Sequence, residues 1–227
     1  MKLSPLALAV ALAPSLTLAD QASEPYQASP LVITSGRQAE PQRQATAATT
    51  LFTRQDIERL QVRSVPELLN RVPGVSIVQN GGRGSLTSVF MRGANSNQTL
   101  VLVDGVRLNA AASGLARLEF LSPEQIERVE VVRGPRSALY GADAIGGVIQ
   151  IFTRRGEAGL QPRVRLAAGT QQSFERSLGL SGGDEQTRFD LGASLDESAG
   201  FDRSNDARGH DADHDGFRRQ ALNLSLD

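Results

Sequence analysis

Four segments in the C-terminal part of the chain alternate apolar with polar residues, and this alternation strongly constrains the fold. The segments are RVRLAA, SFERSLGLS, TRFDLGASLDES and FRRQALNLSLD. Because side chains alternate between the two faces of a β-strand, each segment has one apolar face and one polar, charged face. Such strands are typical of a membrane β-barrel, whose outer face meets lipid. A soluble antiparallel sheet with one solvated face has the same pattern, so the alternation alone leaves both open.

The connections between these segments also differ in length. The link GGDEQ is short, whereas the link from Ser198 to Gly216 is long, and bacterial barrels have short periplasmic turns and longer outer loops. Four strands cannot close a barrel, and each unpaired backbone group in lipid costs several kcal/mol. We therefore predict that residues 157–227 are the first strands of an incomplete barrel in a piece of a longer protein. If the gene ended at Asp227, a soluble periplasmic binding or signalling module would be the better interpretation.

The beginning of the chain predicts export. Residues 1–19 combine Lys2, an apolar stretch and the small residue Ala19, as a secretory signal peptide does. Residues 20–50 are rich in Gln, Ala, Ser, Thr and Pro and predict a flexible arm, interrupted by the apolar segment PLVITS. The net charge of −1 gives no basic surface for a polyanion, so nucleic acid is not an expected partner.

Residues 51–156 predict a compact α+β domain, a mixed sheet with packed helices. Thr53 with Asp56, and Ser64 with Glu67, are spaced as capping boxes at two helix starts. Asp104-Gly105 lies between apolar runs and predicts a two-residue hairpin turn. The segment SPEQIERVEVVRG has a further helix start followed by a strand.

A glycine-rich segment, GPRSALYGADAIGGV, follows that strand and superficially resembles a phosphate-binding loop. Such a loop requires Lys-Ser or Lys-Thr, which does not follow residues 141–147, so we interpret the glycines as architectural. We expect Arg133 and Arg136 to form ion pairs within the domain or with the barrel wall. With two His and no Cys in the chain, no nucleophile and base pair is evident, and an enzyme is not predicted.

Several motifs in order resemble the plug domain of the TonB-dependent outer-membrane receptors: LLNRVPGVSI, TLVLVDGVRLN and IERVEVVRGPRSALYGADAIGGVIQIFTRRG. The stretch VQNGGRGSLTSVFMRGANSNQTLVLVDGVRLN is most similar to the cobalamin transporter branch. The resemblance implies a plug inside a barrel of about 22 strands in the outer membrane. It implies uptake of cobalamin or a related corrinoid, energised by the partner TonB. A siderophore receptor of the same family is the alternative.

The resemblance also implies binding residues. The TonB-binding segment is placed at Leu31, Val32, Ile33 and Thr34, although Ser29-Pro30 precedes it where many members have an acidic residue and a Thr. Substrate contacts are placed in two small, polar loops. These residues are Gly82, Arg83, Gly84, Ser85, Leu86, Thr87, Ser88, Asn109 and Ser113.

The long link between the last two segments contains a hard-metal pattern, DADHDG, which matches the start of a calcium loop. The complete EF-hand pattern fails, because Leu222 occupies the position of the terminal Glu. By resemblance to cobalamin transporters, the candidate calcium ligands are Asp202, Asp213 and Asp215, and Asp211 is an additional candidate in this loop. His210 and His214 raise a softer ion such as zinc as a second possibility, and a solvated acidic loop is the alternative. No cofactor for catalysis is expected.

Overall fold

A computed structural model of the protein describes residues 31–32, 36, 40–45, 47–184, 186–201 and 214–227. The predicted signal peptide and most of the predicted arm lie outside these residues. The helices are α1 Arg54–Leu60, α2 Val65–Leu69 and α3 Ser137–Tyr140. The strands are β1 Leu31–Val32, β2 Glu40–Pro41, β3 Ala48–Phe52, β4 Val75–Gln79, β5 Thr87–Met91, β6 Thr99–Val103, β7 Val106–Arg107, β8 Ile126–Arg133, β9 Gly147–Thr153, β10 Gln161–Gly169, β11 Ser173–Gly183, β12 Arg188–Ser198 and β13 Phe217–Leu226.

The N-terminal domain is built on a five-stranded mixed sheet with the order β3-β8-β9-β6-β7. Strands β6 and β9 are parallel and the other pairs are antiparallel, which confirms the predicted mixed sheet. Asp104 and Gly105 have φ of 47° and 84° between β6 and β7, as the predicted hairpin turn requires. Strands β4 and β5 pair with each other in a separate ribbon. This differs from the expectation that the strands of this domain form one mixed sheet.

Apolar side chains cover both faces of the main sheet. One face packs against α1 and α2 through a cluster that includes Ile57, Leu68, Val129 and Ile149. A smaller cluster of Leu100, Leu102, Ala144 and Val148 lies with Tyr140. Because β-branched Val and Ile fill strands β8 and β9, these strands are buried on both faces and form the centre of the domain.

The helix starts agree with the sequence in part. Thr53 accepts from the Asp56 N–H, and the Asp56 carboxylate accepts from the Thr53 N–H at 3.1 Å, so the first capping box is confirmed. Ser64 accepts from the Glu67 N–H at 3.3 Å, but the Glu67 carboxylate accepts from Arg63, one residue before the cap.

The expected helix after Ser122 is a single 3-10 turn, Pro123–Gln125. The following residues enter β8, where Ile126 and the valines gain burial in the sheet. Packing of these β-branched side chains therefore overrides the local helix-start signal.

Strands β10 to β13 form a consecutive antiparallel sheet, which we call the wall. Its outward face exposes Leu222, Leu224 and Leu226 by 82%, 76% and 72%. Its inward face turns polar residues such as Asp190 and Asp196 toward the N-terminal domain, where they are buried. The predicted alternation is therefore confirmed, with the apolar side chains on the exposed face. Among the described residues, no helix is both long and apolar enough to cross a membrane.

Replacing the cap of α1, Thr53→Ala, should lower the free energy of unfolding by about 1 kcal/mol, because the Asp56 N–H loses its acceptor. The thermal midpoint of the detergent-solubilised protein should then fall by about 2–4 °C. Gln55→Ala, an exposed change in the same helix, is the control, and an equal effect of both changes would contradict the capping role.

The same cap should depend on pH. Burial raises the pKa of Asp56, but its hydrogen bonds with Thr53 and the charge of Arg59 outweigh burial and hold the pKa below its ordinary value. The stabilisation is therefore present above the unfolded-state pKa of Asp56 and is lost as pH falls through the lower, folded-state pKa. The difference between Asp56→Asn and the parent protein should shrink in that acid window, and a constant difference would contradict this account.

Candidate ligand-binding site

The carboxylate of Asp196 on β12 connects the wall to the N-terminal domain. Its Oδ2 accepts from Arg83 Nη2 at 2.7 Å and from Arg219 Nη2 at 3.1 Å. Asp196 and Arg219 are 5% and 8% exposed. Charged groups buried to this extent lose most of their hydration, and the hydrogen bonds between them are directional. The Asp196 carboxylate therefore fixes the positions of the two guanidinium groups relative to each other.

Both arginines extend the connection. Arg83 also donates to Glu175 Oε1 on β11 at 3.1 Å. Arg219 donates to the carbonyl oxygen of Leu121 at 2.9 Å and to that of Glu119 at 3.4 Å. Two segments of the N-terminal domain, the 80–86 loop and the 118–121 turn, are thus fastened to the same point on the wall.

A second group of charges lies further along the boundary. Glu124 lies 3.4 Å from Arg165 on β10 and 3.7 Å from Arg54 on α1. Glu58 on α1 accepts from Arg54 at 2.7 Å and from Arg154 at 3.2 Å. Burial raises the pKa of Glu58, but these two arginines outweigh it and leave the pKa below its ordinary value. Glu58 is therefore ionised at neutral pH and neutralises the arginines.

Two backbone hydrogen bonds and one close side-chain contact define the shape of the 80–86 loop. The Asn80 N–H donates to the carbonyl oxygen of Leu86 at 3.1 Å, and the Ser85 N–H donates to that of Gly82 at 3.0 Å. Gly84 has φ of +81° and lies against the ring of Phe217, where a β-carbon would overlap the ring. This residue must therefore be glycine for both reasons.

Phe217 begins β13, directly after the long 199–216 connection, and the guanidinium of Arg83 lies 5.2 Å from its ring centroid. Next to this contact is a cavity of about 420 Å³. Its charged and aromatic lining consists of Arg63, Glu67, Arg83, Glu119, Phe217 and Arg219. The loop predicted to contact substrate therefore borders an open space with three guanidinium groups.

The predicted substrate residues have different roles in the structure. Arg83, Gly84 and the backbone of the 82–86 loop lie at the boundary, whereas Thr87 is 1% exposed and donates to the carbonyl oxygen of Ser85. Leu86 and Ser88 are partly buried at the start of β5. The side chains nearest to the cavity are thus those of Arg83 and its wall partners.

The second predicted substrate loop, residues 109–114, is held by hydrogen bonds of Asn109. Asn109 accepts from the Val101 N–H at 2.7 Å and donates to the carbonyl oxygens of Gly114 at 2.8 Å and Thr99 at 3.1 Å. Ser113 is exposed at the tip and accepts from the Leu115 N–H at 3.3 Å. Asn109 therefore has a bracing role, and Ser113 is the better placed of the two for a ligand.

Most of the predicted TonB-binding and metal-binding residues lie outside the part of the chain that the structure describes. Leu31–Val32 form β1, which pairs with β2 and buries Val32, while Ile33 and Thr34 are not described. Asp202, Asp211 and Asp213 are also outside the described residues, and Asp215 is exposed. Within the described ranges, no group of three or more His, Asp and Glu could hold a metal. The calcium hypothesis still depends on the sequence pattern.

The expected ion pairs of Arg133 and Arg136 are not found among the described residues. Arg133 donates to the carbonyl oxygens of Pro73 at 2.9 Å and Ala48 at 3.4 Å. Arg136 donates to that of Pro135 at 3.4 Å. Backbone carbonyl groups at strand and helix ends take the place of the expected carboxylates.

Sequence reasoning missed the role of Asp196, Glu175 and Arg219. Their signal was present, because all three occupy polar positions of the alternating strands. The alternation identifies the face on which these side chains lie. It does not identify the domain that covers that face, so their partners could not be chosen.

Comparison with known proteins identifies the N-terminal domain. Residues 41–148 match the family model described as TonB-dependent Receptor Plug Domain. This chain therefore carries a plug domain, followed by antiparallel strands consistent with the start of the receptor barrel. Members of this family are receptors and transporters of the outer membrane, not enzymes, and have no catalytic cofactor.

Solved structures share this fold. The ferric yersiniabactin uptake receptor of Yersinia pestis is 20% identical with a TM-score of 0.64, and the match covers 79% of this chain and 28% of that one. A ferric enterobactin receptor variant of Pseudomonas aeruginosa, in complex with enterobactin, is 24% identical with a TM-score of 0.62, covering 80% and 30%. The siderophore receptor of Acinetobacter baumannii is 25% identical with a TM-score of 0.60, covering 78% and 29%.

These likenesses show that the chain spans about 30% of the length of the receptor structures that it matches. The three are described as a ferric yersiniabactin uptake receptor, a ferric enterobactin receptor and a siderophore receptor, and none of these descriptions supports the cobalamin branch.

The contact of Gly84 with Phe217 gives a sharp test of the boundary. Gly84→Ala and Gly93→Ala place a β-carbon at nearly the same φ, +81° and +80°, but only Gly84 has a neighbour within 4 Å. Both changes carry a similar backbone cost, so Gly84→Ala should destabilise more by about 1–3 kcal/mol because of overpacking.

The difference should be measured by thermal unfolding in detergent, and Phe217→Ala should remove it. Equal costs of the two glycine substitutions would show that the loop does not pack on the wall. Persistence of the extra cost in the Phe217→Ala background would point to a different neighbour.

Proposed function

We propose that this chain is part of an outer-membrane receptor that imports a ferric siderophore with energy delivered by TonB. The plug-domain match and the described ligands of the structural neighbours support the transport class and the ligand class. The observation that carries the proposal is the placement of Arg83 at the rim of a cavity that also contains Arg63 and Arg219.

The charge of this cavity favours an anionic ligand. Its lining has three arginines and the carboxylates of Glu67 and Glu119, and an anionic ligand would compete with Asp196 and Glu175 for the donors of Arg83. Ferric catecholate chelates carry net negative charge, and guanidinium groups bind such oxygen-rich anions strongly. A corrinoid presents mostly neutral amides and gains less from this arrangement, so the charge agrees with the siderophore interpretation.

The position of the cavity agrees with an external ligand. Arg83 contacts Glu175 near the start of β11, Asp196 near the end of β12 and Phe217 at the start of β13. These residues share the end of the wall that carries the long 199–216 connection, whereas 184–187 connect the opposite end. Long connections mark the outer side of bacterial barrels, so the cavity faces the medium.

The proposed TonB-binding segment precedes the plug domain in the sequence. Residues 31–34 form a short apolar stretch suited to strand addition. Two of them, Leu31 and Val32, are already extended in β1 and pair with β2. Strand exchange from β2 to TonB would keep the backbone hydrogen bonds of this segment satisfied.

The ligand class can be decided by direct binding to the full receptor. Ferric enterobactin, ferric yersiniabactin and cobalamin should be compared by intrinsic fluorescence or calorimetry, together with growth under iron limitation. Binding of a ferric chelate and an iron-dependent growth defect on deletion would support the proposal. Binding of cobalamin alone would restore the corrinoid interpretation.

Within this receptor, Arg83→Ala should weaken binding of an anionic ferric chelate by about tenfold, equivalent to 1.4 kcal/mol. The loss of a charged hydrogen bond at the cavity rim is the physical reason. Arg83→Lys keeps the positive charge but removes the planar guanidinium group. Arg59→Ala is the control, because Arg59 is exposed on α1 and lies outside the cavity. Unchanged affinity in Arg83→Ala with a folded protein would remove Arg83 from the site.

Leu31→Pro should abolish uptake while leaving ligand affinity unchanged, because proline removes a backbone donor from the segment that pairs with TonB. Transport of radiolabelled iron chelate into cells, beside equilibrium binding to the same cells, separates the two steps. The matched control is Ala28→Pro, just upstream of the segment. Uptake at the parent rate in Leu31→Pro would reject the assignment.

A further inference from the structure

The outward face of the wall has a polar row above its aliphatic band. The strand register places Phe174, Glu197 and Arg218 side by side, followed by Arg176, Leu195 and Gln220. The next row contains Leu178, Ala193 and Leu222. The change from charged to aliphatic side chains therefore occurs within one row of residues, at the end nearest the 199–216 connection.

Two guanidinium groups dominate this polar row. Arg218 Nε lies 3.3 Å from Glu197 Oε1, and Arg176 Nη2 lies 3.7 Å from Glu197 Oε2. The side chains of Arg176 and Arg218 are 54% and 63% exposed. One carboxylate thus holds two arginines close together, and the group keeps a net positive charge with N–H donors left for an anion.

An apolar groove begins directly beneath Arg176. It has a volume of about 330 Å³, and its lining includes Arg176, Leu178, Ala193, Leu195, Gln220 and Leu222. Ala193 pairs across the strands with Leu178 on one side and Leu222 on the other. The small methyl group of Ala193 leaves a groove between the two leucines, and the apolar lining of this groove suits a hydrocarbon chain.

We propose that this surface binds one phosphorylated lipid of the outer leaflet, with a phosphate on Arg176 and Arg218 and an acyl chain in the Ala193 groove. Charge complementarity selects the phosphate, and the adjacent groove selects a lipid over a free anion. The outer-membrane location places such lipids against this face. The site lies on the opposite side of the wall from the Arg83 cavity, so it is independent of the transported ligand.

The test uses the full receptor in detergent and lipid A with two phosphates as the probe. Native mass spectrometry measures the fraction of protein that retains lipid. Arg176→Gln with Arg218→Gln should reduce the affinity by an order of magnitude, as expected for two arginines beside anionic lipid. Arg155→Gln is the matched control, because Arg155 is 66% exposed and ion-paired with Asp227 at the opposite end of the wall.

The groove is tested separately with Ala193→Phe, which fills it, and with Leu224→Phe, which places the same aromatic side chain one row away. Ala193→Phe should reduce lipid retention, whereas Leu224→Phe should not. Lipid A without phosphates should bind the parent protein as weakly as phosphorylated lipid A binds the double arginine variant. Equal retention of phosphorylated and dephosphorylated lipid, or equal effects of Arg155→Gln and the double variant, would overturn the proposal. Ferric chelate binding by the double variant should stay at the parent level and confirms that it is folded.

Discussion

The inward face of the wall carries buried charges, and the plug domain supplies part of the groups that neutralise them. Asp196 is the centre of this arrangement, because one of its oxygens accepts from Arg83 of the plug and from Arg219 of the wall. Buried charge pairs return little net stability, since desolvation offsets their attraction. Their consequence is geometric: the 80–86 loop and the 118–121 turn keep a fixed position against the wall.

This geometry connects the fold with the proposed transport. The glycine-rich 80–86 loop alone would be mobile, yet Phe217 closes over Gly84 and Arg83 binds two wall carboxylates. The same guanidinium borders the cavity, so an anionic ligand would compete with Asp196 and Glu175 for its donors. Binding of such a ligand would therefore be coupled, through the side chain of Arg83, to the contact between the wall and the plug.

Local signals in the sequence were sufficient for much of the fold. The alternation in β10 to β13, the Thr53 cap and the Asp104-Gly105 turn each follow from the chemistry of a few neighbouring residues. The separation of the β4–β5 ribbon and the single 3-10 turn after Ser122 depend on packing between distant segments, which local patterns do not report.

The binding site was less accessible to sequence reasoning. The glycine-rich loop could be selected as a candidate, but its wall partners are distant in sequence, 92 residues from Arg83 in the case of Glu175 and 113 in the case of Asp196. The comparisons support the siderophore alternative better than the cobalamin branch, and the plug motifs did not distinguish the two. Plug motifs such as TLVLVDGVRLN form β6 and β7 and support the fold, so they carry little information about the ligand.

The central claim is that each wall strand has one side in lipid and one side on the plug. These 227 residues contain no Cys, so single cysteines introduced at Leu222, Asn223 and Leu224 carry the only spin labels in this part of the receptor. In bilayers, the accessibility of the labels to oxygen and to a water-soluble nickel reagent should be measured. The account predicts high oxygen and low nickel accessibility at positions 222 and 224, with protection from both at position 223. Uniform accessibility to the nickel reagent at all three positions would contradict it.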